Sequence, residues 1–99
     1  MGGRSANSQF VHAINRAFAD ALVVEMHRCR LGRRDFATKC GISRAYLQYL
    51  LAAKRHPSVV SLILIAHGLG MPPDQLLRKA VERLTRISVP ALPPVDPPP

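Results

Sequence analysis

A chain of 99 residues leaves room for one domain, which excludes a two-domain arrangement. Fourteen Lys and Arg against six Asp and Glu give a formal net charge of +8 at pH 7. With 47% hydrophobic residues the composition excludes a disordered basic tail and fits a small folded domain that displays positive charge.

The first residues, Met1-Gly2-Gly3-Arg4-Ser5-Ala6, carry no apolar run of the kind a signal peptide needs, and 1–7 is expected to be a flexible N-terminus. Asn7 and Ser8 are candidate helix caps. After them Phe10, Val11, Ile14, Phe18, Leu22, Met26 and Cys29 recur at three- and four-residue steps, which predicts one long helix or two joined near Phe18. Gly32 interrupts it. Arg33 to Cys40 then makes two turns that bury Phe36, Ala37 and Cys40, and Gly41 suits the left-handed position that ends such a helix. Ile42 drops inward, and Ser43 caps a helix from Arg44 to about Ala52 with Leu47 and Leu50 inside.

Lys54 to Pro57 reads as a short basic loop. Ser58 caps the next helix, Val59 to about Leu69, which Gly70 closes; Pro72 and Pro73 open a last one through about Arg86. The expected fold is all-α, a compact bundle of about five helices over 8–87. Residues 88–99 hold six of the nine prolines and are expected to form an extended, mobile, Pro-rich tail. Val59 to Ala66, the longest apolar stretch, falls far short of the roughly 20 residues of a membrane span, so no membrane association is expected and the cytoplasm is the expected location.

Chemistry is not expected either. Cys29 and Cys40 have neither CxxC spacing nor His at metal-site intervals, and they read as small buried hydrophobes, with a mutual disulfide as the alternative. His12, His27, His56 and His67 form no ligand set, and neither a Gly-rich phosphate cradle nor a Ser/His/acid set stands out. The expectation is therefore a non-enzyme without metal or cofactor.

The charge is concentrated. Arg28, Arg30, Arg33, Arg34, Lys39, Arg44, Lys54 and Arg55 face only Asp35, so eight minus one puts +7 of the +8 between Arg28 and Arg55. The same segment has a regular apolar pattern, so these cations are displayed on the outside of something packed. Within it, two short helices joined through Gly41-Ile42-Ser43 form a helix-turn-helix by spacing.

A longer stretch, Leu31 to Leu77, resembles the Cro/CI-type helix-turn-helix family of phage repressors and XRE-like bacterial regulators. The likeness is carried by Leu31, Phe36-Ala37, Gly41-Ile42-Ser43, Tyr46-Leu47, Leu50, Lys54 to Ser58, Leu62, Ile65-Ala66, Leu69-Gly70 and Asp74 to Leu77. It implies a lambda-repressor-like bundle that binds double-stranded DNA.

With Leu47 and Leu50 inside, Arg44, Ala45, Gln48 and partly Tyr49 point outward, where the resemblance places base contacts. Arg44 suits the paired acceptors of guanine, Gln48 suits adenine and Ala45 a thymine methyl group; simple solubility is the alternative for Arg44. Phosphate contacts are expected from Arg33 and Arg34 at the start of the preceding helix, from Ser43, and from Lys54, Arg55 and His56 behind the reading helix. The Tyr46 hydroxyl could join these contacts, as could that of Tyr49, or the rings could pack. Arg33 stands where the family commonly has a Gln that contacts phosphate, and is a longer cationic substitute.

Three departures from the family pattern carry expectations. Met26 and Leu51 replace an Arg and a Glu that many relatives pair, so the two should meet in the core. Ala53 replaces the Gly that usually ends the reading helix, and either bears strain or lets the helix run on. Val60 and Leu64 occupy places usually polar and, with His67, form an apolar face to be covered by the first helix or by a partner. A homodimer is favoured, because one short helix reads too few base pairs. The expected function is a transcription regulator, a repressor on a palindromic operator. An antitoxin-like module that also holds a toxin-like protein, and a charge-driven non-specific nucleic-acid binder, are the alternatives.

Overall fold

Five helices fold from this chain in the expected order. The computed structural model describes residues 2–86, with side chains from Ser8 onward. They are α1 (Gly2–Cys29), α2 (Arg33–Cys40), α3 (Arg44–Leu51), α4 (Val59–Leu69) and α5 (Pro73–Leu84), and no strand occurs among the described residues. The Pro-rich segment 88–99 lies outside the described residues.

Local chemistry explains the ends. Ser43 Oγ accepts a hydrogen bond from the Tyr46 N–H at 3.0 Å and Ser58 Oγ one from the Ser61 N–H at 3.1 Å, so both expected caps are in use. Pro73 stands at the start of α5, where a missing N–H costs nothing. Four helices end in the same way, with one residue in the left-handed region and two backbone bonds folding back over the last turn. At Gly41 (φ 74°) Ile42 N–H reaches Ala37 O, and at Gly70 (φ 73°) Met71 N–H reaches Ala66 O. At Arg30 (φ 57°) Leu31 N–H reaches Met26 O, and at Ala53 (φ 60°) Lys54 N–H reaches Tyr49 O. Of the two readings for Ala53, the strained one holds. The first helix ends at Cys29 through Arg30, before Gly32 is reached.

α1 is one unbroken helix, and it starts earlier than the Asn7 and Ser8 caps suggested. The segment 2–7 holds no proline to break the helix, although Gly2 and Gly3 each cost it about 1 kcal/mol relative to Ala. Its 28 residues at 1.5 Å each span about 42 Å, the long dimension of the domain. The expected apolar row is only partly inside. Phe18, Leu22 and Met26 are buried, but Phe10 is half-buried, and Val11 and Ile14 are 46% and 41% exposed. The buried seam is completed by Ala13, Ala17 and Ala21, whose small side chains let α5 lie along α1. Val11 lines an open cleft with Ala52, Ala53 and Lys54, and Ile14 lines a second with Leu77, Ala80, Val81 and Leu84, so their neighbours cover them only in part.

Phe36, Leu22, Leu47, Leu50, Ile65 and Leu76 are the largest fully buried side chains, drawn from all five helices. Each contributes about 1.5–3 kcal/mol of burial. Met26 joins this cluster, while Leu51 is half-buried and packs against its edge, and both line one surface cavity. Glu25 is 4% exposed and is bound by Arg28 one turn on and by Lys79 of α5 at 3.8 Å, which ties the two long helices together. Cys40 is buried, whereas Cys29 is only half-buried, and both are free thiols. Burial pushes the Cys40 thiol up from 9.0 to about 11, against a smaller opposite pull from Lys39.

Candidate nucleic-acid interface

The corner between α2 and α3 decides what the domain presents. Gly41 turns the chain in the left-handed region, half-buried Ile42 anchors the turn, and Ser43 fixes the first turn of α3. With Leu47 and Leu50 fully buried, the opposite side of α3 stands out from the bundle. Arg44, Ala45, Gln48 and Tyr49 are all exposed there, one helical turn relating Arg44 to Gln48 and Ala45 to Tyr49. Ala52 is also exposed one turn beyond Gln48 and extends the face, a member that reading the capped helix alone did not include.

Cations border this face at both ends. Arg33 and Arg34 are exposed on the first turn of α2, next to backbone N–H groups that Gly32 leaves without a side-chain cap. Lys54, Arg55 and His56 are exposed in the loop behind α3. The Arg55 guanidinium lies 5.3 Å from the centre of the Tyr49 ring, a cation–π contact that orients it without neutralising it. Among the described residues the ion pairs are those of Glu25 with Arg28 and Lys79, so Arg33, Arg34, Arg44, Lys54 and Arg55 keep their charge unpaired.

Two hydroxyls expected at this surface have structural duties. Ser43 Oγ accepts from the backbone as a cap, and the half-buried Tyr46 hydroxyl accepts from the Ser58 N–H at 3.3 Å, joining α3 to the start of α4. Each retains its own O–H proton for donation. Val60, Leu64 and His67 are not covered by α1. Val60 is 67% and Leu64 38% exposed, and Val59 and Ile63 beside them are exposed as well, so the apolar face of α4 is open among the described residues. No described helix is long and apolar enough to cross a membrane, and no group of three or more metal-ligating side chains gathers among the described residues.

A tight helix pair with an exposed polar face and a cationic border is the build of a helix-turn-helix domain. Residues 28–76 match the family model described as helix-turn-helix. This segment is a helix-turn-helix domain of the XRE-like family, a family of DNA-binding regulators. No curated protein and no solved structure matches it.

Proposed function

We propose that the protein is a transcriptional repressor that reads a palindromic operator as a dimer. The observation that carries this reading is the exposed row Arg44, Ala45, Gln48 and Tyr49, set between unpaired cations on α2 and on the loop after α3. Seated in a major groove, Arg44 donates two parallel bonds to guanine O6 and N7, Gln48 pairs with the adenine edge, and Ala45 meets a thymine methyl group. Arg33 and Arg34 grip one bordering strand, and Lys54, Arg55 and His56 grip the other. The free protons of Ser43 and Tyr46 add hydrogen bonds to the same phosphates.

Two copies are needed because eight residues of α3 span too few base pairs for useful discrimination. The open face of α4, with Val60, Leu64 and His67, supports the second copy, since a row of this kind costs free energy in water. Bound across a promoter, such a dimer represses by occlusion. Selection of bound sequences from a random duplex pool tests the reading. A motif with two-fold symmetry and half-sites about one helical turn apart supports it, and the absence of any enriched motif overturns it.

A further inference from the structure

The N-terminal half of α1 precedes the family match and runs past the end of the reading helix, where the two leave an open cleft. Buried Asn15 and Ala53 form its floor, and Val11, Ser8, His12 and Lys54 stand exposed around it. Ala52 completes the lining, and Ala52 is also the last exposed position on the reading face. The mouth of the cleft is therefore continuous with the face that carries Arg44 and Gln48.

The rim is made of donors. It offers a hydroxyl, an imidazole and an ammonium, with no carboxylate in the lining. That set complements a phosphate diester, which accepts hydrogen bonds and carries one negative charge. We propose that the cleft takes a backbone phosphate of the same duplex, held by Ser8, His12 and Lys54, so that α1 lengthens the DNA footprint beyond the helix-turn-helix. The assignment rests on the DNA-reading role of α3. It goes beyond it in giving a contact to Ser8 and His12, which lie outside the family match.

Phosphate-ethylation interference, with affinity measured against salt, tests the proposal on the full chain. The variants are the double substitution Ser8→Ala/His12→Ala and the single His12→Arg; both side chains are exposed, so the fold is retained. The wild type should show one phosphate per half-site whose ethylation blocks binding but which no longer matters to the double variant. That variant should bind operator and unrelated duplex alike about three- to tenfold more weakly. His12→Arg should bind more tightly and steepen the slope of log K against log salt by about 0.9, one added phosphate charge pair. Identical interference patterns and affinities for the wild type and the double variant would overturn the cleft assignment while leaving the reading helix in place. A wild type that binds no duplex would overturn both together.

Discussion

Arg30 and Ala53 hold backbone angles that favour glycine, yet each closes a helix as neatly as Gly41 and Gly70 do. For a residue with a Cβ the left-handed region costs about 1–2 kcal/mol. The Arg30 side chain is exposed, so Arg30→Gly releases that cost and gives up only a cation near a helix C-terminus, about 0.3–1 kcal/mol. It should therefore raise stability by roughly 0.5–1 kcal/mol, read as a higher midpoint in urea. Ala53 differs because its methyl group is buried, at 3% exposure, in the floor beneath α1. Ala53→Gly gains the same relief and loses about 0.8 kcal/mol of burial, an offset of the same size as for Arg30, so its midpoint should rise by a similar amount. A midpoint that falls in either variant would contradict this balance.

At the scale of elements, the close approach of α2 to α4 depends on one missing side chain. A Cβ at Gly68, in the last turn of α4, would collide with Cys40 Sγ and come within 3.5 Å of the Cys40 backbone. Helix propensity alone would make Gly68→Ala stabilising by about 1 kcal/mol. The collision outweighs it, since overpacking a full core costs about 1–3 kcal/mol, and the variant should be less stable than the wild type. Removing the sulfur in the same chain, as Gly68→Ala/Cys40→Ala, should recover much of the loss in a double-mutant cycle of urea midpoints. Additive effects of the two substitutions would show that the helices do not meet there. The same packing keeps the Cys40 thiol neutral. Its folded pKa of about 11 lies above the ordinary 9.0, so its contribution is complete below pH 9 and is lost as pH rises through 11.

Much of this layout was legible in the residues. The bounds of α2, α3 and α4 follow from Gly41, Ser43, Ser58 and Gly70, because each of these residue types has a physical task at a helix end. The outward set on α3 follows from the inward Leu47 and Leu50. What escaped the sequence depends on neighbours. Val11 and Ile14 continue an apolar period that their neighbours cover only in part, buried Glu25 has a partner, Lys79, on α5 as well as Arg28 on its own helix, and Arg30 occupies a glycine's place without being one. The cleft of Ser8, His12 and Lys54 joins residues more than forty positions apart, so no local pattern announces it.

For the whole molecule, two properties decide what it does: the number of copies on DNA and the way the surface reads sequence. The open α4 face predicts that Val60→Asp/Leu64→Asp, both at exposed positions, leaves each chain folded but shifts it to monomer in sedimentation and weakens binding to a two-fold site more than to one half-site. A variant as dimeric as the wild type would move the interface elsewhere. The central claim, that α3 reads bases instead of supplying charge alone, is tested most directly by Arg44→Ala. Its affinity is measured on the selected operator and on every single-base variant of one half-site. The account predicts that preference collapses at one position, by about 1–3 kcal/mol, and persists at the others. A uniform, modest loss on all sequences would contradict it.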